Sequence, residues 1–135
     1  RPAFQQAYRL SFLWGLGISI VLALAWFFGG DALIGVMTTN DEVRRFANDY
    51  LWVAALCALT GMPAFVFDGI LIGLTQNAMM RNGMLASLAM FLAAATLLQG
   101  PFGNLGLWLA LHLWFIARGA YYWLALGRRQ ALLFA

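Results

Sequence analysis

Residues 50–75 read YLWVAALCALTGMPAFVFDGILIGLT, and this stretch decides the fold because it is long and apolar enough to cross a lipid bilayer. A spanning helix needs roughly 20 apolar residues, since each residue advances about 1.5 Å through a hydrocarbon layer about 30 Å thick. The stretch also contains Pro63, which removes a backbone hydrogen bond and predicts a kink near Leu59 and Thr60. Its carboxylate, Asp68, costs about 2.5–3.5 kcal/mol at membrane depth unless it is paired, protonated or hydrated. We therefore expect Pro63 and Asp68 each to have a role in the structure or function of the protein.

The composition of the whole chain indicates an integral membrane protein. Of its 135 residues, 64% are hydrophobic and only 10% are charged, whereas soluble domains carry about 25% charged residues. The net charge of +3 comes from scattered arginines without any lysine, which favours contact with lipid headgroups over binding of nucleic acid. We therefore expect residues 1–135 to form one all-α membrane domain with the lipid bilayer as its partner.

Four hydrophobic runs predict a bundle of four transmembrane helices, over residues 10–28, 50–75, 83–98 and 105–126.

Polar and breaker residues predict where these helices end. Gly29-Gly30 and Gln99-Gly100-Pro101 are expected to break the first and third helices, because glycine and proline are unfavourable inside a helix. Residues 31–37 are expected to form a short interfacial turn of helix, and Asn40 is expected to cap the second long helix. Residues 80–82 are expected to lie in a tight loop before the third helix.

Small residues are spaced for close helix packing in two of the runs. Gly15 and Ser19 lie four residues apart in the first run, and Gly69 and Gly73 form a GxxxG pattern in the second. In an apolar helix this spacing usually marks close contact between helices rather than a phosphate-binding loop. We therefore predict that these four positions pack against other helices.

The distribution of arginines predicts the orientation in the membrane. Cytoplasmic loops are enriched in Lys and Arg. The end with both termini carries five arginines and the opposite end carries two, namely Arg1, Arg9, Arg81, Arg128 and Arg129 against Arg44 and Arg45. Both termini are therefore expected in the cytoplasm.

No residue pattern indicates an enzyme or a metal site. The chain has one histidine and one cysteine, on different predicted helices, which offers no zinc-like ligand cluster. It contains neither a Gly-rich phosphate loop after a strand nor a serine nucleophile elbow. We expect no catalytic activity, no metal and no organic cofactor.

Three polar residues at membrane depth are the candidate coupling or gate residues. Asp68 and Arg118 are placed about 11 Å and about 14 Å from the cytoplasmic ends of their helices, and an arginine extends toward the nearer interface. The two side chains can thus meet, as a structural ion pair, as a gate contact to another part of the protein, or with a carboxylate that titrates during transport. His112 lies nearer the outer leaflet, where a helix–helix hydrogen bond and a proton relay are the alternatives.

Three motifs resemble the C-terminal region of multidrug and toxic compound extrusion (MATE) transporters, closest to the DNA-damage-inducible (DinF-type) branch. They are DGILIGLT at 68–75, MRN at 80–82 and GNLGLWLAL at 103–111. They occur in the order and at the spacing of the family, and the resemblance extends over nearly the whole chain. Leu74 departs from the alanine expected after Gly73, which affects packing more than chemistry.

The resemblance implies a twelve-helix transporter in the bacterial cytoplasmic (inner) membrane, of which this chain supplies the last four helices. It implies export of amphipathic, cationic small molecules driven by a proton or sodium gradient. The preceding helices of the same transporter are then expected partners, and a start without methionine or signal peptide fits a C-terminal fragment. No coupling residue is carried over, because the best-known coupling carboxylate of relatives lies on their first helix. The residues alone leave one alternative, a self-contained four-helix membrane scaffold or assembly protein.

Overall fold

The computed structural model describes the backbone of residues 2–133 and the side chains of residues 5–128. Throughout this part of the chain the backbone is helical apart from short connections, which confirms the all-α prediction. Five helices follow one another, namely α1 (Pro2–Met37), α2 (Asp41–Asp49), α3 (Leu51–Gly73), α4 (Asn77–Phe102) and α5 (Asn104–Leu133).

Three of the helices are long and apolar enough to cross a membrane, over Gln5–Met37, Leu51–Gly73 and Asn77–Phe102. The fourth predicted span, 105–126, lies inside α5, which forms a helix but is not among these three. Two polar side chains, His112 and Arg118, lower the mean hydropathy of α5.

The predicted breaks at Gly29-Gly30 and at Gln99-Gly100-Pro101 were wrong. α1 continues through the first pair to Met37, and α4 continues through the second group to Phe102. In lipid no water is available for the backbone groups that a broken helix would leave unpaired, so the helical bonds outweigh weak local propensities. The break after α4 lies at Gly103, whose φ of 55° lies in the left-handed region that favours glycine.

Two further helix boundaries differ from the predictions. Residues 80–82, expected in a loop, lie in α4, which already begins at Asn77. Asn40 is a helix cap, and its side chain accepts hydrogen bonds from the backbone N–H groups of Glu42 and Val43 at 2.9 and 3.3 Å. The capped helix is the separate α2, because Tyr50 interrupts the helix before α3 begins.

The four long helices lie side by side in the order α1, α3, α5, α4. α1 packs on α3, α3 packs on α5, and α5 packs on α4, while the sequence neighbours α3 and α4 touch only slightly. α2 lies against the ends of α1 and α3, where Asn48 Nδ2 donates to Asp31 Oδ1 at 2.6 Å. α5 therefore lies between α3 and α4 and connects them.

The main core lies where α3, α4 and α5 meet. It consists of five buried side chains, namely Phe67, Leu71, Met79, Tyr122 and Leu126. By contrast, much of α1 faces outward, with Trp14, Phe28 and Val36 exposed at 71%, 79% and 87%. Such extensive apolar exposure suits lipid or further helices rather than water.

Candidate functional site

An ion pair connects α3 to α5. Arg118 Nη2 donates to Asp68 Oδ2 at 2.5 Å, so the structure brings together the two residues that were matched by their depth. Arg118 is only 6% exposed. The second carboxylate oxygen, Asp68 Oδ1, is buried and has no hydrogen-bond partner among the described residues.

Two aromatic residues of α5 enclose the Arg118 guanidinium. Trp114 and Tyr122 lie four residues before and after it, which places all three on one face of the helix. The guanidinium carbon is 5.7 Å from the Trp114 ring and 5.9 Å from the Tyr122 ring, within the range of cation–π attraction. Arg118 Nε also donates to the Tyr122 hydroxyl at 3.3 Å. We call Asp68, Trp114, Arg118 and Tyr122 the Arg118 cluster.

The Arg118 cluster also reaches α4. The Tyr122 hydroxyl donates to the Met80 carbonyl at 3.1 Å, and Trp114 Nε1 donates to the Ser87 hydroxyl at 3.0 Å. One face of α5 is therefore bonded to α3 through the ion pair and to α4 through two hydrogen bonds. Trp114 and Tyr122 were not among the predicted site residues, although their spacing of four residues on either side of Arg118 was a usable signal.

His112 forms a second polar contact between α5 and α3, separate from the Arg118 cluster. Its Nδ1 lies 2.8 Å from Thr60 Oγ1, and its Nε2 lies 3.2 Å from the Val53 carbonyl oxygen. The Cys57 Sγ lies 3.8 Å from Nε2. The Thr60 hydroxyl is also placed to donate to the Leu56 carbonyl, at 3.2 Å. These contacts supply the helix–helix hydrogen bond that was one of the two alternatives for His112.

Of the small residues predicted to pack helices, Gly15 in α1 makes a close contact with α3. A Cβ at Gly15 would lie 2.8 Å from Val66 Cγ2 of α3. Ser19 is buried, and its hydroxyl donates to the Leu16 carbonyl at 2.9 Å. Within the described part of the chain, a Cβ at Gly69 or Gly73 would meet nothing within 4 Å. The helix contact predicted from that GxxxG pattern is therefore not made here.

Two other glycines make the close approaches that the sequence analysis did not identify. A Cβ at Gly106 would collide with the Leu98 carbonyl, so the start of α5 crosses the end of α4 backbone to backbone. A Cβ at Gly83 would collide with the rings of Tyr121 and Tyr122. Each glycine has a small residue four positions later, Ser87 and Ala110, which is the same spacing as that of Gly15 and Ser19 and was a usable signal.

Pro63 lines an open groove between α1, α3 and α5. α3 stays helical through the proline, and Gly119 of α5 leaves room for it, since a Cβ there would lie 3.4 Å from Pro63 Cβ. The groove has a volume of about 460 Å³, and its lining includes Tyr8, Phe12, Thr60, Pro63, Phe115 and Trp123. We call it the Pro63 groove. It is mainly apolar and aromatic, and Thr60, the partner of His112, lines it.

The described residues hold no group of three His, Cys, Asp or Glu side chains that could bind a metal ion together. The arrangement is instead that of paired polar groups between helices, beside an apolar groove. It can fix the positions of the helices relative to one another.

Comparison with known proteins gives one family and one curated relative. The MatE family model matches residues 2–97. The chain is 31% identical over 103 residues to DNA damage-inducible protein F of Escherichia coli (strain K12), which covers 76% of this chain and 22% of the relative. The chain thus spans less than a quarter of the length of that relative. No solved structure shows a significant match to the chain.

Proposed function

Because the chain belongs to the MatE family of membrane transporters, we propose that the protein containing it exports amphipathic, cationic small molecules from a bacterial cell. A proton or sodium gradient across the cytoplasmic (inner) membrane drives this antiport. The observation that carries the proposal is the family match over most of the chain, and it favours transport over a self-contained scaffold. The preceding helices of the same transporter complete the transport pathway.

The Pro63 groove supports a role in binding the exported compound. Its volume of about 460 Å³ falls in the range of small-molecule sites, which measure about 300–1,000 Å³ and are mostly apolar. Aromatic rings such as Phe115 and Trp123 offer flat apolar surface and attract cations through their faces. An amphipathic cation suits such a lining.

We propose that α5 is the fourth membrane-spanning helix. Its polar side chains His112 and Arg118 are bonded to α3, and Trp114 is bonded to α4. These partners remove most of the cost of placing polar groups at membrane depth. α5 also packs on both neighbouring helices. With α5 spanning the membrane, both termini lie on one side of it.

The charges at the two ends support a cytoplasmic location for that side. Among the residues whose side chains are described, the end with the termini carries Arg9, Arg81 and Arg128 and no carboxylate. The opposite end carries Arg44 and Arg45 together with four carboxylates, namely Asp31, Asp41, Glu42 and Asp49. An excess of arginine marks the cytoplasmic side.

Transport of ethidium, an amphipathic cationic dye, tests the proposal. The natural protein is reconstituted into vesicles, and ethidium movement is followed after imposing either a pH gradient or a sodium gradient. We expect one of the two gradients to drive ethidium against its concentration gradient. Failure of both, with protein-free vesicles as background, would contradict the proposed antiport.

Two tryptophan variants test the groove within the same assay. Trp123 lines the Pro63 groove, whereas Trp26 of α1 does not. We expect Trp123→Ala to raise the apparent KM for ethidium at least about threefold, which corresponds to one weakened cation–π contact. The matched Trp26→Ala variant should leave KM unchanged. Equal effects of the two variants would remove the groove from the proposed binding site.

A further inference from the structure

We infer that His112 reversibly binds a proton on Nδ1, and that the Thr60 hydroxyl links this proton to ligand binding in the Pro63 groove. The inference rests on the proposed antiport function and deepens it, since it names a proton-binding residue and a connection to the compound. It is carried by the hydrogen bonds around the ring and by the position of Thr60 in the groove lining.

The surroundings of Nε2 determine where the neutral ring carries its hydrogen. Nε2 lies 3.2 Å from the Val53 carbonyl oxygen, which can only accept a hydrogen bond. The hydrogen of the neutral imidazole is therefore on Nε2, and Nδ1 is left as the acceptor. Any further proton has to bind at Nδ1, which faces Thr60.

Thr60 suits both protonation states of Nδ1. Its hydroxyl has one hydrogen and two neighbours within reach, His112 Nδ1 at 2.8 Å and the Leu56 carbonyl at 3.2 Å. With a neutral ring, the hydroxyl donates to Nδ1. With a charged ring, Nδ1–H donates to Thr60 Oγ1, and the hydroxyl hydrogen rotates to the Leu56 carbonyl. Every polar hydrogen is satisfied in both states without movement of a heavy atom.

No other ionisable group described on the neighbouring helices contacts Nδ1 of His112. From α3, Cys57 lies 3.8 Å from Nε2, on the side away from Nδ1, and Asp68 is paired with Arg118. From α1, Tyr8 lines the groove. The one charged residue of α4, Arg81, contacts Asn82 near the start of that helix. No carboxylate among the described residues contacts the ring to hold it permanently charged.

A bound proton then disfavours a bound cation. The protonated ring places a positive charge beside Thr60 in the groove lining, and Nδ1–H takes one of the two lone pairs of Thr60 Oγ1. The neutral ring removes the charge and leaves both lone pairs of Thr60 Oγ1 able to accept an N–H donor of the ligand. For release, Thr60 gives its hydroxyl proton to a water molecule entering the open groove and takes the proton of Nδ1. The ring returns to its neutral form, and the proton leaves as hydronium.

Proton release on ligand binding tests this exchange directly. Purified natural protein in weak buffer receives ethidium, and released protons are counted with a pH indicator over a series of starting pH values. We expect up to one proton per bound ethidium, and an ethidium Kd that rises as pH falls, by up to about tenfold per unit. His112→Gln should bind ethidium without releasing this proton.

Variants of Thr60 isolate the role of the hydroxyl. Thr60→Val keeps the shape of the side chain and removes the hydroxyl, whereas Thr60→Ser keeps the hydroxyl. We expect Thr60→Val to lose most of the coupled proton release and Thr60→Ser to retain it. Equal release by the two variants would overturn the link through Thr60.

A measurement on the unmodified protein covers the case in which His112→Gln does not fold. Ring nitrogen NMR should show that the protonated fraction of His112 falls when ethidium is added at constant pH. A protonation state of the ring that does not change with ethidium at any pH tested would overturn the inference. Ethidium transport with undiminished proton release from His112→Gln would also overturn it, and it would leave the proposed antiport intact.

Discussion

Asp68 Oδ2 and Arg118 Nη2 lie 2.5 Å apart, and this contact joins α3 to α5 where the two side chains are only 16% and 7% exposed. Arg118 also contacts two aromatic rings of its own helix, and Tyr122 carries the connection on to the α4 backbone. The pair is therefore one part of a contact that fixes three helices together. Removing any member should loosen the group as a whole.

Removing the Tyr122 hydroxyl tests the connection to α4. Tyr122→Phe keeps the ring, which is fully buried, but loses the bonds to Arg118 Nε and to the Met80 carbonyl. We expect a loss of about 1–3 kcal/mol in unfolding free energy, because buried donors and acceptors lose partners. Tyr121→Phe is the matched control, since no side-chain hydrogen bond of Tyr121 is part of this cluster. Thermal unfolding in detergent compares the two, and equal stability would contradict the role of the hydroxyl.

The backbone crossing at Gly106 predicts a strict requirement for glycine. A Cβ there collides with the Leu98 carbonyl, which cannot move without displacing the end of α4. We expect Gly106→Ala to lower the unfolding temperature and the yield of folded protein. Gly17→Ala is the control, because a Cβ at that helical position meets nothing within 4 Å, and alanine favours helix by about 0.5–1 kcal/mol. Equal behaviour of the two variants would contradict the crossing.

Pro63→Ala tests whether the proline serves movement. The substitution restores a backbone donor within α3 and should stabilise the helix. If bending at this position is part of alternating access, ethidium transport should slow while stability rises. Unchanged transport kinetics in the natural protein would show that the proline is merely tolerated.

Cysteine labelling tests the proposed topology. In a Cys57→Ala background, single cysteines at 40 and 104 should react with a membrane-impermeant reagent added outside intact cells. Single cysteines at 82 and 129 should react only after the membrane is opened. Labelling of position 82 from outside would reverse the orientation.

Contacts that depend on charge and on depth in the membrane could be predicted from the sequence. Asp68 and Arg118 were matched because both lie at similar distances from the same membrane face, and an unpaired charge there is costly. For His112 the sequence left a helix–helix hydrogen bond and a proton relay as alternatives. The fold class followed from the length of the apolar runs, which leave the backbone little choice but helix.

Helix ends and close approaches were harder to predict, since they depend on the environment rather than on local preference. Gly29-Gly30 and Gly100-Pro101 are breaker signals calibrated on chains in water, and the helices continue through both. The close approaches fell at Gly83 and Gly106, where one particular neighbour crosses, and not at Gly69 and Gly73. Which glycine faces a neighbour depends on helix rotation, and spacing alone does not give it.

A double-mutant cycle on Asp68 and Arg118 tests the central claim, that their pair joins α3 to α5. Asp68→Asn and Arg118→Leu should each destabilise the natural protein by about 3–5 kcal/mol, because each leaves a buried polar partner unpaired. The double variant should lose clearly less unfolding free energy than the sum of the two single losses. In a parallel ethidium transport assay, Asp68→Asn should lose only part of its activity. Complete loss of transport with intact stability would instead indicate a titrating carboxylate. Strict additivity of the two losses in stability would contradict the pairing.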